Sequence, residues 1–431
     1  MNSNMENRSN KGRKQKLLLV VTAILLLIVS FFGGFFLNRL INGRKLNRIN
    51  DIIRIMESVG FVFDENGEPR DITEEEYANA IVNGILDDYS QYFTAEQYEE
   101  YTERSRGNTS GIGLTFYDYD CVIDKVTGNS PADKAGVKVG DEIQSFVFNE
   151  NETCVTDYED IIDYLSSFAT DVEFEMNVLR GTENIPFTVK KTAYKVNYVT
   201  YYDNEYKYCF ESENNQDLTA KEYYGQGNSE LPDDTAYIAF EGFQGQASTQ
   251  LFGALDFMKE RGKTKLIFVL RGNGGGQMNI LTEVAGALIH CGGKNNFAVA
   301  VAESKKNKET FYSGKNRFNT DIKSIVVLAD ERSASASECL IGAMIHYGGV
   351  FSQDKLIIEK DASGKATTYG KGIMQTTYGL IGGGALKLTT ARILWPDGTT
   401  CIHGKGITTK TQNQVEKDQV LSRALEIIKA N

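Results

Sequence analysis

Residues 324–348 read SIVVLADERSASASECLIGAMIHYG: an apolar β-branched run, an acidic loop, three alternating serines and a second apolar run. The first run, Ile325 to Leu328, predicts a buried strand, and the second predicts a helix that begins among the serines. The first N–H groups of a helix lack partners within it, so a serine at this junction can lie beside donors that stabilise an oxyanion. A helix N-cap with small-residue packing is the simpler interpretation of the same serines.

A glycine-rich turn directly follows a second predicted strand. Residues 264–276 read TKLIFVLRGNGGG, and glycines allow backbone N–H groups to face a cleft without an intervening side chain. A phosphate-binding P-loop would end in Lys-Ser or Lys-Thr, whereas Gln277 and Met278 follow this turn. Nucleotide binding is therefore not predicted.

Strand-like and helix-like segments alternate from Thr235 onward. They are AYIAFEGF, STQLFGALDFMKERG, TKLIFVL, ILTEVAGALIH, SIVVLAD and ECLIGAMIHYG. This alternation predicts an α/β layer. The preceding residues, 193–232, are rich in Tyr and Asn, and they predict a connecting strand and an exposed loop.

The composition limits the classes of function. The chain has 431 residues, of which 41% are apolar, and a net charge of −12. This length predicts about three domains, and the negative charge argues against nucleic acid as a partner. The six cysteines form no CxxC pair and no cluster with histidine, so neither zinc nor any other cofactor is implied. Free thiols, or at most one disulfide, are expected.

Five parts of the chain together indicate a family. They are LRGNGGG (270–276), ERSASASE (331–338), GKGIMQ (370–375), the segment 382–407, and GIGLTF (111–116) with SPADKAGVKVGDEI (130–143). In their order along the chain they resemble the carboxyl-terminal processing peptidases, the tail-specific serine proteases of family S41 with an embedded PDZ domain. The resemblance covers roughly residues 80 to 410, which makes it more specific than any single motif.

The resemblance implies a Ser–Lys dyad. It assigns the nucleophile to Ser335, the base to Lys371 and a supporting amide to Gln375. It also implies that the backbone N–H groups of Ala336 and Gly275 stabilise the oxyanion.

General chemistry supports a lysine base independently of the resemblance. A serine hydroxyl needs a base within hydrogen-bond reach. His346, one of three histidines, is eleven residues beyond Ser335, which is about 16 Å along a continuous helix. Burial can lower the pKa of a lysine enough for it to act as a base.

Two departures from the family pattern bear on the site. Val269 stands where the family has an acidic residue, two positions before the arginine of the glycine-turn strand. The extra segment DASGKATTY (361–369) lengthens the spacing from serine to lysine, and it makes Lys365 an alternative base. Lys371 is preferred because glycine follows it directly and glutamine follows four positions later.

The resemblance also implies the domain order. A helical region at 45–106 would gate substrate or pair the protomers of a homo-oligomer, a PDZ domain would span 110–192, and a crotonase-like or Clp-protease-like α/β core would span 193–431. The PDZ loop would bind the free carboxyl terminus of a protein or peptide substrate. Its residues are Gly111, Ile112, Gly113 and Leu114.

The amino terminus predicts a membrane anchor. Leu17 to Leu37 is an uncharged apolar run of 21 residues, close to the ~20 needed to cross a bilayer. Basic residues before it favour a cytoplasmic tail at 1–16 and translocation of the rest. A cleaved signal peptide is the alternative, although the run is longer than a usual signal and no Ala-x-Ala site follows.

These predictions combine into a multi-domain α/β and β protein of the cell membrane, with one transmembrane helix at 17–37 and an extracytoplasmic catalytic part. The predicted function is a serine endopeptidase that forms an acyl-enzyme on extracytoplasmic proteins or peptides. The alternative is a catalytically inactive scaffold whose PDZ domain binds peptide tails.

Overall fold

The computed structural model describes residues 47–59, 62–63, 68–116, 120–128, 130–211 and 220–430. The chain divides into two units, one up to Gly84 and one from Ile85 onward. Within the described ranges, no helix is long and apolar enough to cross a bilayer. The predicted tail (1–16) and anchor (17–37) lie outside these ranges.

Two helices and a short hairpin form the described part of the first unit. They are helix α1 (Asn47–Val59), strands β1 (Val62–Phe63) and β2 (Pro69–Arg70), and helix α2 (Glu74–Ile85). The two strands pair antiparallel. The Arg70 guanidinium donates to both carboxylate oxygens of Glu76, which ties the hairpin to the first turn of α2.

A strand and a helix follow at the start of the second unit. Strand β3 (Gln91–Phe93) precedes helix α3 (Ala95–Ser105). The Thr94 hydroxyl accepts from the Gln97 N–H, and the Gln97 amide oxygen accepts from the Thr94 N–H. This reciprocal capping box satisfies two backbone donors, and it fixes where α3 begins.

The segment predicted as a PDZ domain has its own sheet and core. Its elements are β4 (Asn108–Gly111), β5 (Leu114–Thr115), β6 (Lys125–Val126), α4 (Pro131–Ala135), β7 (Glu142–Phe148), β8 (Asn151–Cys154), α5 (Tyr158–Ser167), β9 (Glu173–Arg180), β10 (Glu183–Lys190) and β11 (Thr192–Lys195). Four strands form an antiparallel sheet in the order β10-β9-β7-β8. Alternate residues of β9, such as Phe174, Met176 and Val178, are buried in a separate apolar cluster. The first strand of this segment, β4, pairs with its last strand, β11, so the two ends of the segment lie side by side.

The remaining elements alternate between strands and helices. They are β12 (Val199–Tyr202), β13 (Tyr206–Glu211), β14 (Ala220–Gln226), β15 (Thr235–Phe240), α6 (Ala247–Glu260), β16 (Lys265–Val269), α7 (Met278–Leu288), β17 (Ala298–Ser304), β18 (Lys308–Tyr312), β19 (Ser324–Ala329), α8 (Ala336–Tyr347), β20 (Leu356–Glu359), β21 (Ile373–Gly379), β22 (Ala385–Leu394), β23 (Gln414–Val415) and α9 (Val420–Ala430). Short 3-10 turns lie at Gln353–Lys355, Thr411–Asn413 and Lys417–Gln419.

A central sheet organises this region, in the order β14-β13-β12-β15-β16-β19-β20-β23. Strands β15, β16, β19, β20 and β23 run parallel. Parallel strands are usually buried on both faces, and β16 alternates accordingly. Leu266 and Phe268 lie in the large cluster that includes residues of α6, α7 and α8, whereas Ile267 and Val269 lie in the cluster that includes α9.

A second sheet has the order β18-β17-β22-β21, and β3 pairs with β22. Part of the predicted helical region, 45–106, thus contributes a strand to this sheet. Residues 193–232 also contain three strands, β12 to β14, where one strand and a loop are expected. β12 pairs antiparallel with β15, and Tyr201 within it is fully buried, so tertiary packing explains this stretch better than its polar composition does.

Candidate active site

The three alternating serines have different surroundings. Ser333 is fully buried, and its hydroxyl donates to the Leu270 carbonyl at 2.8 Å. Ser337 is also fully buried, and its hydroxyl donates to the Asn273 carbonyl at 2.9 Å. Ser335, between them, is partly exposed to a cavity. Of the three serines, the middle one is therefore the one that faces the cavity.

Ser335 has an unusual backbone conformation. Its φ is +56° and its ψ is −111°, at the N-cap of α8. A non-glycine residue in such a region costs of order 1–3 kcal/mol and persists only where its surroundings enforce it. The surroundings of Ser335 are a buried carboxylate on one side and the glycine turn on the other.

The buried carboxylate belongs to Glu338, which is fully shielded from solvent. It accepts the backbone N–H of Ser335 at 2.9 Å. It also accepts the N–H groups of Gly370 at 2.8 Å and of Lys371 at 2.9 Å, and the hydroxyl of Thr368. Burial raises the pKa of Glu338, against the effect of these four donors. One side chain thus links the backbone of the predicted nucleophile to the backbone of the predicted base.

The glycine turn is held by Asn273, which is fully buried. Its amide donates to the Phe240 carbonyl at 2.7 Å, and its side-chain oxygen accepts the Gly275 N–H at 2.9 Å. Its backbone carbonyl accepts from Ala334 N–H and from the Ser337 hydroxyl. Asn273 therefore joins strand β15, the glycine turn and the serine turn.

Gly275 packs directly against the serine turn. Its φ is +96°, and a Cβ placed on it would lie 2.7 Å from the Ala334 oxygen and 2.8 Å from the Ser335 Cβ. Only glycine fits this approach. At the neighbouring Gly274, by contrast, an added Cβ would have no atom within 4 Å. The two adjacent glycines thus provide a matched pair for mutation.

The predicted oxyanion donors lie in different environments. The Ala336 N–H makes no hydrogen bond within the described part of the chain. The Gly275 N–H donates to Asn273, so its use as an oxyanion donor requires that bond to be shared or exchanged.

A cavity of about 480 Å³ brings the predicted catalytic residues together. Ser335, Lys371 and Gln375 all line it, with Gly275 of the glycine turn and Cys339 of α8. Burial raises the pKa of the Cys339 thiol to about 12, so this cysteine is a packing residue rather than a nucleophile.

The Lys371 amine is placed for deprotonation but not engaged with the serine. Burial lowers its pKa, and Lys387 lowers it further, whereas Asp87 opposes the shift. The Lys371 Nζ lies 4.9 Å from the centre of the Tyr89 ring. Among the described contacts there is no hydrogen bond between Lys371 and Ser335. Proton transfer therefore requires the amine and the hydroxyl to come within hydrogen-bond distance of each other.

Gln375, the predicted supporting amide, makes no hydrogen bond with Lys371 among the described contacts. Its amide donates to the Thr389 hydroxyl at 3.1 Å. A bulge between Met374 and Gln375 in the β21–β22 ladder sets this orientation. Gln375 lines the cavity while its amide is bonded to the neighbouring strand.

The alternative bases lie away from the serine. Lys365 is exposed, and its backbone closes a surface turn with the Asp361 carboxylate. The three histidines, His290, His346 and His403, are exposed, and none of them lines the cavity. Lys371 is thus better placed than any of these as the partner of Ser335.

Val269 has a physical explanation. Only 7% of it is exposed, and it lies in the apolar cluster that includes α9. Arg271, two residues beyond Val269, forms an ion pair with Glu359. The turn beyond is held by Asp330, whose carboxylate accepts the Gly272 N–H at 2.9 Å. No acidic residue at position 269 is required to hold this turn.

The predicted carboxylate-binding loop lines a second cavity, of about 600 Å³. All four of its residues contribute, together with Tyr158, Ile162 and Leu165 of α5. Gly113 has a φ of +87°, and a Cβ there would lie 2.2 Å from the Ser130 Cβ. Ile112 is buried in the core of the segment, so Leu114 is the better candidate for contact with a ligand.

The two cavities share a wall. Tyr198 and Gln244 line both of them, and the Tyr198 hydroxyl donates to the Gln244 amide oxygen at 3.4 Å. The cavity at the loop predicted to bind tails and the cavity at the serine turn therefore adjoin at these two side chains.

Comparison with known proteins agrees with these observations. Residues 234–412 match the family described as peptidase family S41. This segment belongs to peptidase family S41. Its limits include the glycine turn, the serine turn and Lys371, but not the segment predicted as a PDZ domain.

The relatives of the S41 segment include proteins of staphylococci. A probable CtpA-like serine protease of Staphylococcus aureus is 27% identical over 381 residues, which cover 86% of this chain and 66% of the relative. A second, from Staphylococcus epidermidis, is 25% identical over 80% of this chain and 61% of the relative. The chain thus spans less than two thirds of the length of these relatives.

Solved structures that match this chain include a photosystem II D1 C-terminal processing protease. It is 19% identical with a TM-score of 0.48, over 84% of this chain and 88% of that one. A putative S41 protease from Bacteroides fragilis is 14% identical with a TM-score of 0.48, over 86% and 91% of the two chains.

Three residues of the candidate site were not assigned a role from the sequence. Glu338 had a usable signal, since a glutamate three residues after a serine at a helix start is the capping-box pattern. Tyr89 and Lys387 had none, because only the pairing of β3 with β22 brings their segments to the cavity.

Proposed function

We propose that this chain is a serine endopeptidase in which Ser335 is the nucleophile and Lys371 is the base. The observation that carries the proposal is the contrast among the three serines. Ser335 alone is partly exposed, at a helix N-terminus, in a cavity that it shares with a lysine whose pKa is lowered by burial.

The reaction follows from this arrangement. The neutral Lys371 amine accepts the Ser335 proton while the hydroxyl oxygen attacks the peptide carbonyl. The resulting oxyanion is stabilised by the N–H groups of Ala336 and Gly275. The lysine ammonium then donates a proton to the leaving amine, and an acyl-enzyme remains. Water, deprotonated by Lys371, hydrolyses the ester and restores the serine.

Substrate selection is proposed to use the free carboxyl terminus of a protein or peptide. Glycines at 111 and 113 leave backbone N–H groups facing an anion, and within the described residues β5 is paired on one edge only. A bound tail raises the local concentration of the adjoining chain at the serine, plausibly to the mM range for a short connection. An anchor at 17–37 is proposed to hold the protease at a membrane.

A second candidate function is a peptide-binding scaffold without catalysis. It is favoured by one observation: Lys371 contacts the Tyr89 ring and Gln375 contacts Thr389, so neither side chain engages Ser335. If Lys371 does not reach Ser335, the protein would bind peptide tails at residues 111–114 without cleaving them.

The test uses the full-length protein in detergent or lipid with an unfolded protein substrate. Ser335→Ala and Lys371→Ala should each reduce kcat/KM at least about a thousandfold, because members of a catalytic unit lose most of their effect together. Lys365→Ala, which removes an exposed lysine from the same segment, should keep wild-type activity. Thermal unfolding should show that all three variants fold.

Two results would contradict the proposal. Loss of activity in Lys365→Ala with retention in Lys371→Ala would show that the base is assigned wrongly. Absence of cleavage by the wild type at every pH, with retained binding of a peptide by its free carboxyl terminus, would favour the scaffold.

A further inference from the structure

A second lysine lies in the active-site cavity. Lys387, on β22, lines the same cavity as Ser335, Lys371 and Gln375. Its backbone pairs with Thr377 on β21 and with Gln91 on β3, so it lies between two strands. The position of this side chain is thus set by the second sheet, independently of the serine turn.

Neutral groups hold the Lys387 ammonium. Its Nζ lies 5.6 Å from the centre of the Phe93 ring and 5.8 Å from that of Tyr101. These rings stack on each other with centres 4.9 Å apart. The Nζ also donates to the Gln91 amide oxygen at 3.5 Å. Aromatic faces favour a charged amine, and no carboxylate pairs with Lys387 among the described ion pairs.

The two lysines have different partners. Lys371 is in contact with one ring, that of Tyr89, whereas Lys387 is in contact with two rings and an amide. Two like charges in one cavity repel, so the pair is stabilised when one amine gives up its proton. Burial lowers the pKa of both amines, but the neutral groups that favour a charged form are more numerous around Lys387, with two rings and an amide, than around Lys371, with one ring.

We propose that Lys387 is a positioning residue whose ammonium, held between Phe93 and Tyr101, keeps the Lys371 amine neutral and so able to accept the Ser335 proton. This inference rests on the proposed function, since it assigns the cause of the base's reactivity. It is supported by the lowered pKa of Lys371, for which burial is the largest cause and Lys387 the second.

The other groups around Lys371 do not replace this effect. Asp87 acts in the opposite direction. Tyr89 is neutral, because its hydrogen bond with Tyr369 and burial raise its pKa to about 12. Glu241 lines the cavity but is paired with Lys125 at 3.1 Å. Glu338 uses its carboxylate on backbone N–H groups, including that of Lys371 itself. Lys387 is thus the one cation, among described residues lining the cavity, that opposes a charge on Lys371.

The experiment compares Lys387→Met, which keeps the length of the side chain and removes the charge, with Lys387→Arg, which keeps the charge. Lys365→Met is the matched control, because it removes one positive charge from an exposed turn. The first readout is kcat/KM as a function of pH on an unfolded protein. The second is the rate at which a small amine-reactive reagent labels Lys371 at each pH, followed by mass spectrometry of the peptide that contains it.

In Lys387→Met, the acidic limb of the kcat/KM profile should shift to higher pH by about one unit. At a fixed pH on that limb, kcat/KM should therefore fall about tenfold. The labelling curve of Lys371 should move in the same direction. Lys387→Arg and Lys365→Met should keep both curves in the wild-type position. Thermal unfolding of each variant checks that it folds.

An unshifted pH profile in Lys387→Met would overturn the inference, and an accompanying rise in KM would assign Lys387 to substrate binding instead. An equal shift in Lys365→Met would mean that only the net charge matters. The labelling readout does not depend on catalysis. A shift in labelling without cleavage by the wild type would therefore refute the proposed protease and leave the electrostatic role of Lys387 intact.

Discussion

The two halves of the proposed dyad are held very differently. The turn that carries Ser335 is fixed from several sides by Glu338, Asn273 and Gly275, through hydrogen bonds and close backbone contact. The backbone of Lys371 shares one of these supports, whereas its Nζ lies against the Tyr89 ring and has no hydrogen bond among the described contacts. The fold thus places the proposed nucleophile through backbone hydrogen bonds, whereas the amine of the proposed base lies against an aromatic ring.

The largest loss of activity is expected when a side chain is added at Gly275, which packs against the turn that carries Ser335. Gly275→Ala should reduce kcat/KM about a thousandfold or more, because the new Cβ would meet the Ala334 oxygen and the Ser335 Cβ at 2.7 and 2.8 Å, at a φ of +96°. Gly274→Ala adds the same atom where nothing lies within 4 Å. The measurement is steady-state cleavage with thermal unfolding of both variants. Equal losses in the two would show that the turn as a whole, rather than its contact with the serine, matters.

The link between the two halves is the Glu338 carboxylate. Glu338→Gln keeps the shape but replaces one acceptor oxygen with an amide that faces backbone donors, so we expect a loss of about 1–3 kcal/mol of stability. Activity should fall about a hundredfold, because both Ser335 and Lys371 lose their common support. Urea unfolding and cleavage assays check the two effects. Wild-type activity in a destabilised protein would separate folding from catalysis here.

The lowered pKa of Lys371 predicts how the proposed activity depends on pH. Below the pKa of Lys371 the neutral fraction rises tenfold per pH unit, so kcat/KM should rise with a slope of about one log unit and then level off. Because burial lowers this pKa from 10.5, the plateau should begin below that pH. The same shift means that the unfolded chain binds more protons between the two pKa values, so this group's contribution to stability should increase with pH across that window. A profile that is flat from acid to alkaline pH would be incompatible with a lysine base.

The smallest expected effect comes from the ring beside the lysine. Tyr89→Leu removes an aromatic face that favours the ammonium form, so the pKa of Lys371 should fall and the rate on the acidic limb should increase about threefold. Tyr89→Phe keeps the ring and should match the wild type. Parallel pH–rate profiles of the two variants are the measurement. A decrease in Tyr89→Leu would indicate that the ring orients the amine for catalysis.

The sequence predicts the turn that carries Ser335 much better than the surroundings of Lys371. The strand before the serines, the helix after them and the glycine turn are local patterns, and the structure has strand Ser324–Ala329 and helix Ala336–Tyr347 where they are expected. The contact of Gln375 with Thr389 depends on a bulge that no periodicity indicates. The surroundings of Lys371 come from strands that are distant in sequence, so only tertiary pairing determines them.

The pairing of Gln91–Phe93 with residues 385–387 affects when the fold can be completed during synthesis on the ribosome. The first of these strands leaves the ribosome roughly 300 residues before its partner, a wait of about 15–60 s at roughly 5–20 residues per second. During that interval the nascent chain has the rings of Phe93 and Tyr101 but not Lys387, which packs against them. The cavity that holds the proposed dyad is therefore incomplete until the carboxyl-terminal part is made, so the proposed proteolysis would begin only after the chain is almost finished.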